Sequence, residues 1–168
     1  MEIRAEQPED LNAIQVVNTA AFGRANEAHL VNQLRGIADT FSFVAIESQQ
    51  IVGHVFFSPV IVDGAYPESL RMLGLAPLAV LPQYQRQGIG SLLIRHGLGQ
   101  CAYLGYKAVM VLGYPEFYAR FGFISSKRKG LTCEYSVPDD VFMVLELQDG
   151  ALNGCSGTVK YRSEFNEV

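Results

Sequence analysis

The residues best placed to do chemistry lie mid-chain, in Leu78–Leu93, which reads LAVLPQYQRQGIGSLL. An apolar stretch stops at Pro82, a polar loop follows, glycines stand at 88 and 90, and an apolar helical pattern begins. The first turn of a helix has N–H groups without intrahelical acceptors and a partial positive charge, so a phosphate placed there meets several donors at once. Glycines at that point remove the Cβ atoms that would block its approach. The chemistry to expect is the holding of a phosphorylated ligand.

Two nucleotide motifs can be set aside. A P-loop needs GxxxxGK[ST], and neither glycine is followed by lysine. A dinucleotide fingerprint needs a third glycine where Leu93 stands and its first glycine at the strand end, whereas Pro82 to Gln87 intervene. The pattern present is (Q/R)xxGx(G/A), as Gln85-Arg86-Gln87-Gly88-Ile89-Gly90 behind Leu78-Ala79-Val80-Leu81-Pro82. On these residues the chain resembles the GNAT acetyltransferase superfamily. The resemblance implies acetyl-CoA (CoA) as co-substrate, with no metal. It sets the backbone of Leu78, Ala79 and Val80 along the pantetheine, and Gln85, Arg86, Gln87, Gly88, Ile89, Gly90 and Ser91 around the pyrophosphate.

Lys107–Phe123, KAVMVLGYPEFYARFGF, resembles the strand and short helix that come next in that family, ending Tyr-x-x-x-Gly-Phe at Tyr118, Gly122 and Phe123. Aminolysis of a thioester expels a thiolate whose conjugate acid has a pKa of about 8.5, and a neighbouring phenol can protonate it. The resemblance gives Tyr118 that general-acid role; the bland reading is a packing aromatic between Phe117 and Phe121. A base for the amine is sought among carboxylates. Glu27, in Phe22-Gly23-Arg24-Ala25-Asn26-Glu27, is the candidate catalytic partner, with Glu116 beside the site, and each also reads as a solvated helix-end glutamate. With FGRANE and YPEFYARFGF together, the chain is most similar to the bacterial YhbS-type predicted acetyltransferases. The implied activity is direct acetyl transfer to an amine of a small-molecule or peptide acceptor. The alternative is a non-catalytic acyl-CoA-binding or sensing module. Members of the family are monomers or dimers, and a homodimer is the expected assembly.

The other reactive side chains form no pattern. His54, in the strand-like Gly53-His54-Val55-Phe56, either faces an acceptor pocket or packs, while His29 and His96 have helix-packing or surface readings. None has an acidic, Ser or Cys partner at a readable spacing, so triad hydrolysis has no support. Cys101, Cys133 and Cys155 are widely spaced, odd in number and without a CxxC or metal pattern, which fits reduced thiols of a cytoplasmic protein.

These residues need a scaffold. Ile3–Glu6 reads as a strand and Pro8 to Asp10 as a helix start; Leu11, Ile14, Val17 and Ala21, then Leu30, Val31, Leu34 and Ile37, recur at helical spacing around a polar break at Arg24–Glu27. Phe41–Ile46 and Ile51–Val62 form a hairpin pattern, Asp63-Gly64 signals a turn, and Ser69–Leu81 is a central strand whose Gly74 and Pro77 suggest a bulge or splayed end. Gly88–Tyr103 is a helix, Lys107–Leu112 a short buried strand, Pro115–Phe121 a short helix closed by Gly122, and Val141–Leu147 a late strand. Past Gly150 the chain reads as loop, with a final strand at Thr158–Arg162. Lys127, Arg128 and Lys129 read as a solvated turn. The fold class is α/β (α+β): a mixed, largely antiparallel central sheet with flanking helices, GNAT-like by resemblance and splayed between its two central strands.

At 168 residues the chain fits one domain, 1–168, and its 49% apolar and 18% charged residues suit a compact core. A net charge of −4 gives nothing to nucleic-acid binding. No run approaches the roughly 18 apolar residues of a membrane span, so neither nucleic acid nor membrane is an expected partner.

Overall fold

A computed structural model describes the whole chain, Met1–Val168. Its residues gather in two compact units, Met1–Ser58 with Leu75–Gly97 and Ser163–Val168, and Pro59–Gly74 with Leu98–Arg162.

The first unit holds β1 (Glu2–Ala5), α1 (Leu11–Phe22), α2 (Asn26–Leu34) and β2 (Phe41–Glu47), with parts of β3 (Gln50–Ala65), β4 (Met72–Val80) and α3 (Ile89–Tyr103). α1 is introduced by Asp10, whose carboxylate accepts the Gln7 N–H and both arms of Arg4. The Arg4 bonds hold that carboxyl below its ordinary range. Gly23, at φ 68°, ends the helix. α2 starts at Asn26 rather than near Leu30, because Glu27 is an acidic first-turn residue, favourable at the positive end of a helix, and not part of a break. β1, β2 and β3 pair antiparallel, with the β2–β3 turn at Ser48-Gln49, both at positive φ.

Alternation along β3 sorts the two faces. Phe56 packs with Ile14, Leu30, Val31, Leu34 and Val44, under α1 and α2. Gly53 and Phe57, of the opposite parity, meet α3: a Cβ on Gly53 would lie 2.9 Å from Leu93, and one on Gly97 2.5 Å from the Phe57 ring. Glycine at both positions lets α3 sit close on the strands and fixes where its N-terminus points.

The second unit holds the rest of β3, β4 and α3 together with β5 (Ala108–Leu112), α4 (Pro115–Ala119), β6 (Ile124–Ser125), β7 (Leu131–Cys133), β8 (Phe142–Glu146) and β9 (Ser156–Lys160). β4 runs parallel to β5 through Met72↔Ala108, Leu73↔Val109 and Gly74↔Met110. β8 pairs antiparallel with β5 and β6, and β9 lies antiparallel to β3 and parallel to β7. Mixed, mostly antiparallel pairing with flanking helices is the expected class.

Several sequence boundaries need correction. Asp63-Gly64 is not a turn: Asp63 faces Thr158 and Gly64 faces Gly157 inside the β3–β9 ladder. The two backbones approach so closely that a Cβ on Gly64 would lie 2.1 Å from the Ser156 carbonyl oxygen, so this glycine marks close approach and not reversal. The turn comes at Pro67–Leu70, and β4 starts at Met72 instead of Ser69. β9 begins two residues earlier than expected, and β6 and β7 are too short to carry a periodic signal. Lys127–Lys129 does form a turn, but Lys127 pairs with Asp139 and Lys129 with Glu146. No helix is long and apolar enough to cross a membrane.

Candidate active site

In the first unit, β4 ends at Val80 and the chain turns through Pro82–Tyr84 and residues 85–88 into α3. The Leu81 N–H donates to the Val52 carbonyl at 2.9 Å, which moors the loop to β3. Two glutamines staple it from within: Gln85 Nε2 donates to the Val80 carbonyl at 2.9 Å and Gln87 Nε2 to the Gln83 carbonyl at 3.3 Å. Their side chains thus shape the loop from within. Arg86 and Gly88 both adopt left-handed backbone, φ 62° and 87°. Left-handed residues turn successive N–H groups to one side, the arrangement of anion-binding nests.

The Gly88 carbonyl accepts the Leu92 N–H at 3.1 Å, so Gly88 caps α3 and the N–H groups of Ile89 and Gly90 lie in its first turn, without acceptors inside the helix. An added Cβ at Gly88 would meet nothing within 4 Å, so the space beside this residue is clear. The loop fits a diphosphate: backbone donors, a helix N-terminus and open space coincide. Ile89 itself is buried against β3 and anchors the turn.

Tyr118 belongs to the second unit. α4 begins with Pro115, whose missing N–H costs nothing at a helix start, after Tyr114 in extended conformation. The Tyr118 ring lies across Gly113, where a Cβ would be 2.3 Å from the ring, and is braced edge-on by Phe117 at 5.0 Å and Phe123 at 5.6 Å. It is only 7% exposed, and burial pushes its phenol up to about 12. Tyr118 is therefore a rigidly held, protonated phenol at neutral pH.

Glu27 is 5% exposed in the first turn of α2. Its two carboxylate oxygens accept Arg24 Nε–H at 3.0 Å and Arg24 Nη2–H, so the pair forms a fork over the α1–α2 break. Glu116 is exposed in the first turn of α4. All three cysteines are unbonded thiols. Burial pushes Cys101 up to about 12 and raises Cys133 and Cys155, which keeps each protonated.

A buried polar chain escaped the sequence reading. His54, fully buried, lies 3.0 Å from Asn18 Nδ2 through Nδ1 and 2.8 Å from Ser42 Oγ through Nε2. These are the separations of a Ser–His–Asn triad, but the proton directions forbid that chemistry. Ser42 spends its one O–H on Glu6 at 2.7 Å, so it must accept from His54 Nε2–H. Asn18 Nδ2 also donates to the Ile14 carbonyl at 3.0 Å, which fixes the amide and makes His54 Nδ1 an acceptor. Ser42 has no base, and the chain ends at Glu6, clamped by Arg35. The available signal was polar Asn18 four residues after Ile14 on the apolar stripe of α1, and a histidine inside an apolar strand.

A strand, a stapled loop and a helix start follow one another in the first unit, and a buried tyrosine is held in the second; comparison with known proteins gives the family. Residues 38–125 match the acetyltransferase (GNAT) domain family, and the chain belongs to that family. It is 40% identical to the uncharacterized N-acetyltransferase YhbS of Escherichia coli K12, over 99% of each chain, and 36% identical to YjhQ of the same organism, over 78% of this chain and 74% of that one. The crystal structure of E. coli YhbS in complex with CoA superposes with a TM-score of 0.91 at 38% identity, covering 98% of this chain and 91% of that one. A GNAT family acetyltransferase from Brucella melitensis in complex with acetyl-CoA superposes with a TM-score of 0.79 at 35% identity, covering 98% and 97%.

Proposed function

We propose that the protein moves an acetyl group from acetyl-CoA to an amine by direct attack, with the pyrophosphate on the loop before α3. The carrying observation is the β4–loop–α3 junction, where the Gly88 cap, the first-turn N–H groups and clear space coincide. Arg86 through Ser91 surround the diphosphate in this reading, and the Gln85 side chain keeps the loop in shape. Leu78, Ala79 and Val80 present backbone to the pantetheine; since the Val80 carbonyl already accepts Gln85, Leu78 carries more of that contact. Pro77, with no N–H to give a neighbouring strand, marks where the β4 edge opens toward ligand. The relatives crystallised with CoA and acetyl-CoA support the ligand.

Tyr118 serves the departing sulfur. A phenol at about 12 is a weaker acid than a thiol at about 8.5, so outright transfer of its proton to a free thiolate is uphill by roughly 5 kcal/mol. Its contribution is a short hydrogen bond to the sulfur as charge develops, and the ammonium formed on the attacking amine supplies the proton that remains with CoA. Glu27, already bonded at both oxygens, serves this reading better as the anchor of Arg24 than as the base, and water takes the amine's first proton.

The test is CoA release followed chromatographically with a panel of amines, for wild type and Tyr118→Phe. The reading expects amine-dependent release, lowered about 100-fold in kcat by the substitution with acetyl-CoA affinity held within about threefold. Acetyl-CoA binding without amine-dependent release would make the protein a binding module, and an unchanged kcat in folded Tyr118→Phe would remove Tyr118 from the mechanism.

A further inference from the structure

We propose that Asn153-Gly154, at the tip of the loop between β8 and β9, is a site of spontaneous covalent modification: the asparagine cyclises onto the glycine nitrogen, and water opens the ring to aspartate and isoaspartate. No group of the acetyl-transfer reading has been placed in this loop, so the site stands or falls without it.

The reaction needs a carboxamide next to a backbone nitrogen that is free to attack it. That nitrogen, having lost its proton to base, forms a bond to the asparagine Cγ; the Cγ–Nδ2 bond breaks, and ammonia leaves after taking a proton from water. Water then adds to either carbonyl of the cyclic imide. Breaking the ring bond at Cγ gives aspartate, and breaking the one at the main-chain carbonyl gives isoaspartate, with the backbone routed through the side chain. Nothing is oxidised or reduced: amide and water become carboxylate and ammonium. Asparagine is a thermolabile residue, and glycine, with no Cβ, shields its own nitrogen least.

Three Asx-Gly pairs occur in the chain, Asp63-Gly64, Asp149-Gly150 and Asn153-Gly154, and the fold treats them differently. Gly64 is locked against Gly157 in the β3–β9 ladder, with the Ser156 carbonyl close beside it. The Gly150 N–H is bonded to the Glu146 carboxylate, which also accepts the Leu152 N–H at 2.8 Å. The Gly154 N–H has no acceptor, and a Cβ on that residue would meet nothing within 4 Å. Asn153 and Gly154 are both exposed, and the Asn153 carboxamide is not held by a hydrogen bond. The other asparagines, Asn12, Asn18, Asn26, Asn32 and Asn166, stand in helical segments, and each is followed by a residue that has a side chain.

The reactive pair sits between anchored neighbours. Leu152 and Cys155 are buried, and the Cys155 N–H donates to the Leu152 carbonyl at 3.1 Å, closing the turn around residues 153 and 154. The Asn153 N–H donates to the Gly150 carbonyl at 3.0 Å. Isoaspartate adds a backbone carbon inside that closed turn, which opens the Cys155–Leu152 bond. Either product also sets a new carboxylate on a loop that Glu146 already grips, where like charges repel.

The test incubates the purified protein, native and in urea, over a series of pH values. Peptide mapping by mass spectrometry then separates asparagine, aspartate and isoaspartate at each position. Native protein should convert residue 153 at a rate within about threefold of the urea-unfolded chain, because no hydrogen bond has to open first. The rate should rise about tenfold per pH unit, with the fraction of deprotonated amide. Asn12, Asn18, Asn26, Asn32 and Asn166 should keep their amides in the native protein, and residues 63 and 149 should gain no isoaspartate. Asn153→Gln, which can close only a larger ring, should gain no acidic charge; circular dichroism verifies that it is folded. An asparagine that persists at 153 in the native protein, a rate indifferent to pH, or equal conversion at the helical asparagines would overturn the site. So would isoaspartate appearing as fast at 63 or 149, or a folded Asn153→Gln that acidifies like the wild type.

Discussion

Replacing His54 with glutamine should flatten the acid limb of the protein's stability. Complete burial is the larger reason that His54 resists protonation, with the Arg35 charge second, and its pKa falls from an ordinary 6.5 to about 3. The hydrogen bonds agree: Nδ1 is already an acceptor for Asn18, so a second ring proton would break that bond. The unfolded chain binds a proton at this site below pH 6.5 while the folded chain does not. The stability is therefore complete above pH 6.5 and is lost as pH falls, until the folded histidine titrates near 3. One proton of difference is worth about 1.4 kcal/mol per pH unit, so the loss reaches roughly 3 kcal/mol at pH 4.5 and roughly 5 kcal/mol at pH 3. Urea denaturation followed by circular dichroism at half-unit steps from pH 7.5 to 4.5 measures this. His54→Gln is expected to be less stable at pH 7.5 yet to lose about 1.4 kcal/mol per unit less as the pH drops. Parallel slopes for the two proteins would refute the buried, neutral histidine and the proton directions built on it.

The β2–β3 turn places Ser48 and Gln49 at φ 50° and 64°, a backbone that glycine adopts without strain. Gln49→Gly should add up to about 1 kcal/mol, seen as a thermal midpoint higher by about 2–4 °C; a lower midpoint would mean the turn is not strained. Gly113 does not need glycine for its backbone, so Gly113→Ala tests the Tyr118 seat by sterics alone. A Cβ 2.3 Å from the ring must push it by about 1 Å, and a displacement of that size costs on the order of 100-fold in rate. Amine-dependent CoA release should fall accordingly while acetyl-CoA still binds, and an undiminished rate would show that the ring position is immaterial.

The elements around the candidate site were legible because their signals are local. Gly88 and Gly90 between an apolar strand and an apolar helical pattern mark the start of α3 by spacing alone, and Pro115 with Gly122 bounds α4. Side-chain direction was not legible: nothing in the spacing of Gln85 and Gln87 says that their amides turn back onto the loop. Glu27 read as a free carboxylate because its partner, Arg24, lies in what looked like a polar break. The His54 chain joins residues 6, 18, 35, 42 and 54 from five segments, and no spacing rule reaches across so many. The same limit applied to β9, whose partners on β3 and β7 stand far away in sequence, so that Asp63-Gly64 imitated a turn.

Calorimetric titration of the purified protein with acetyl-CoA, beside Gly90→Glu, tests the central claim most directly. Gly90 stands in the first turn of α3, and a glutamate there sets a side chain and a negative charge against the diphosphate. The account predicts saturable one-site binding by the wild type and none by the variant. A folded wild type that does not bind acetyl-CoA, or a folded Gly90→Glu that binds it equally well, would contradict it.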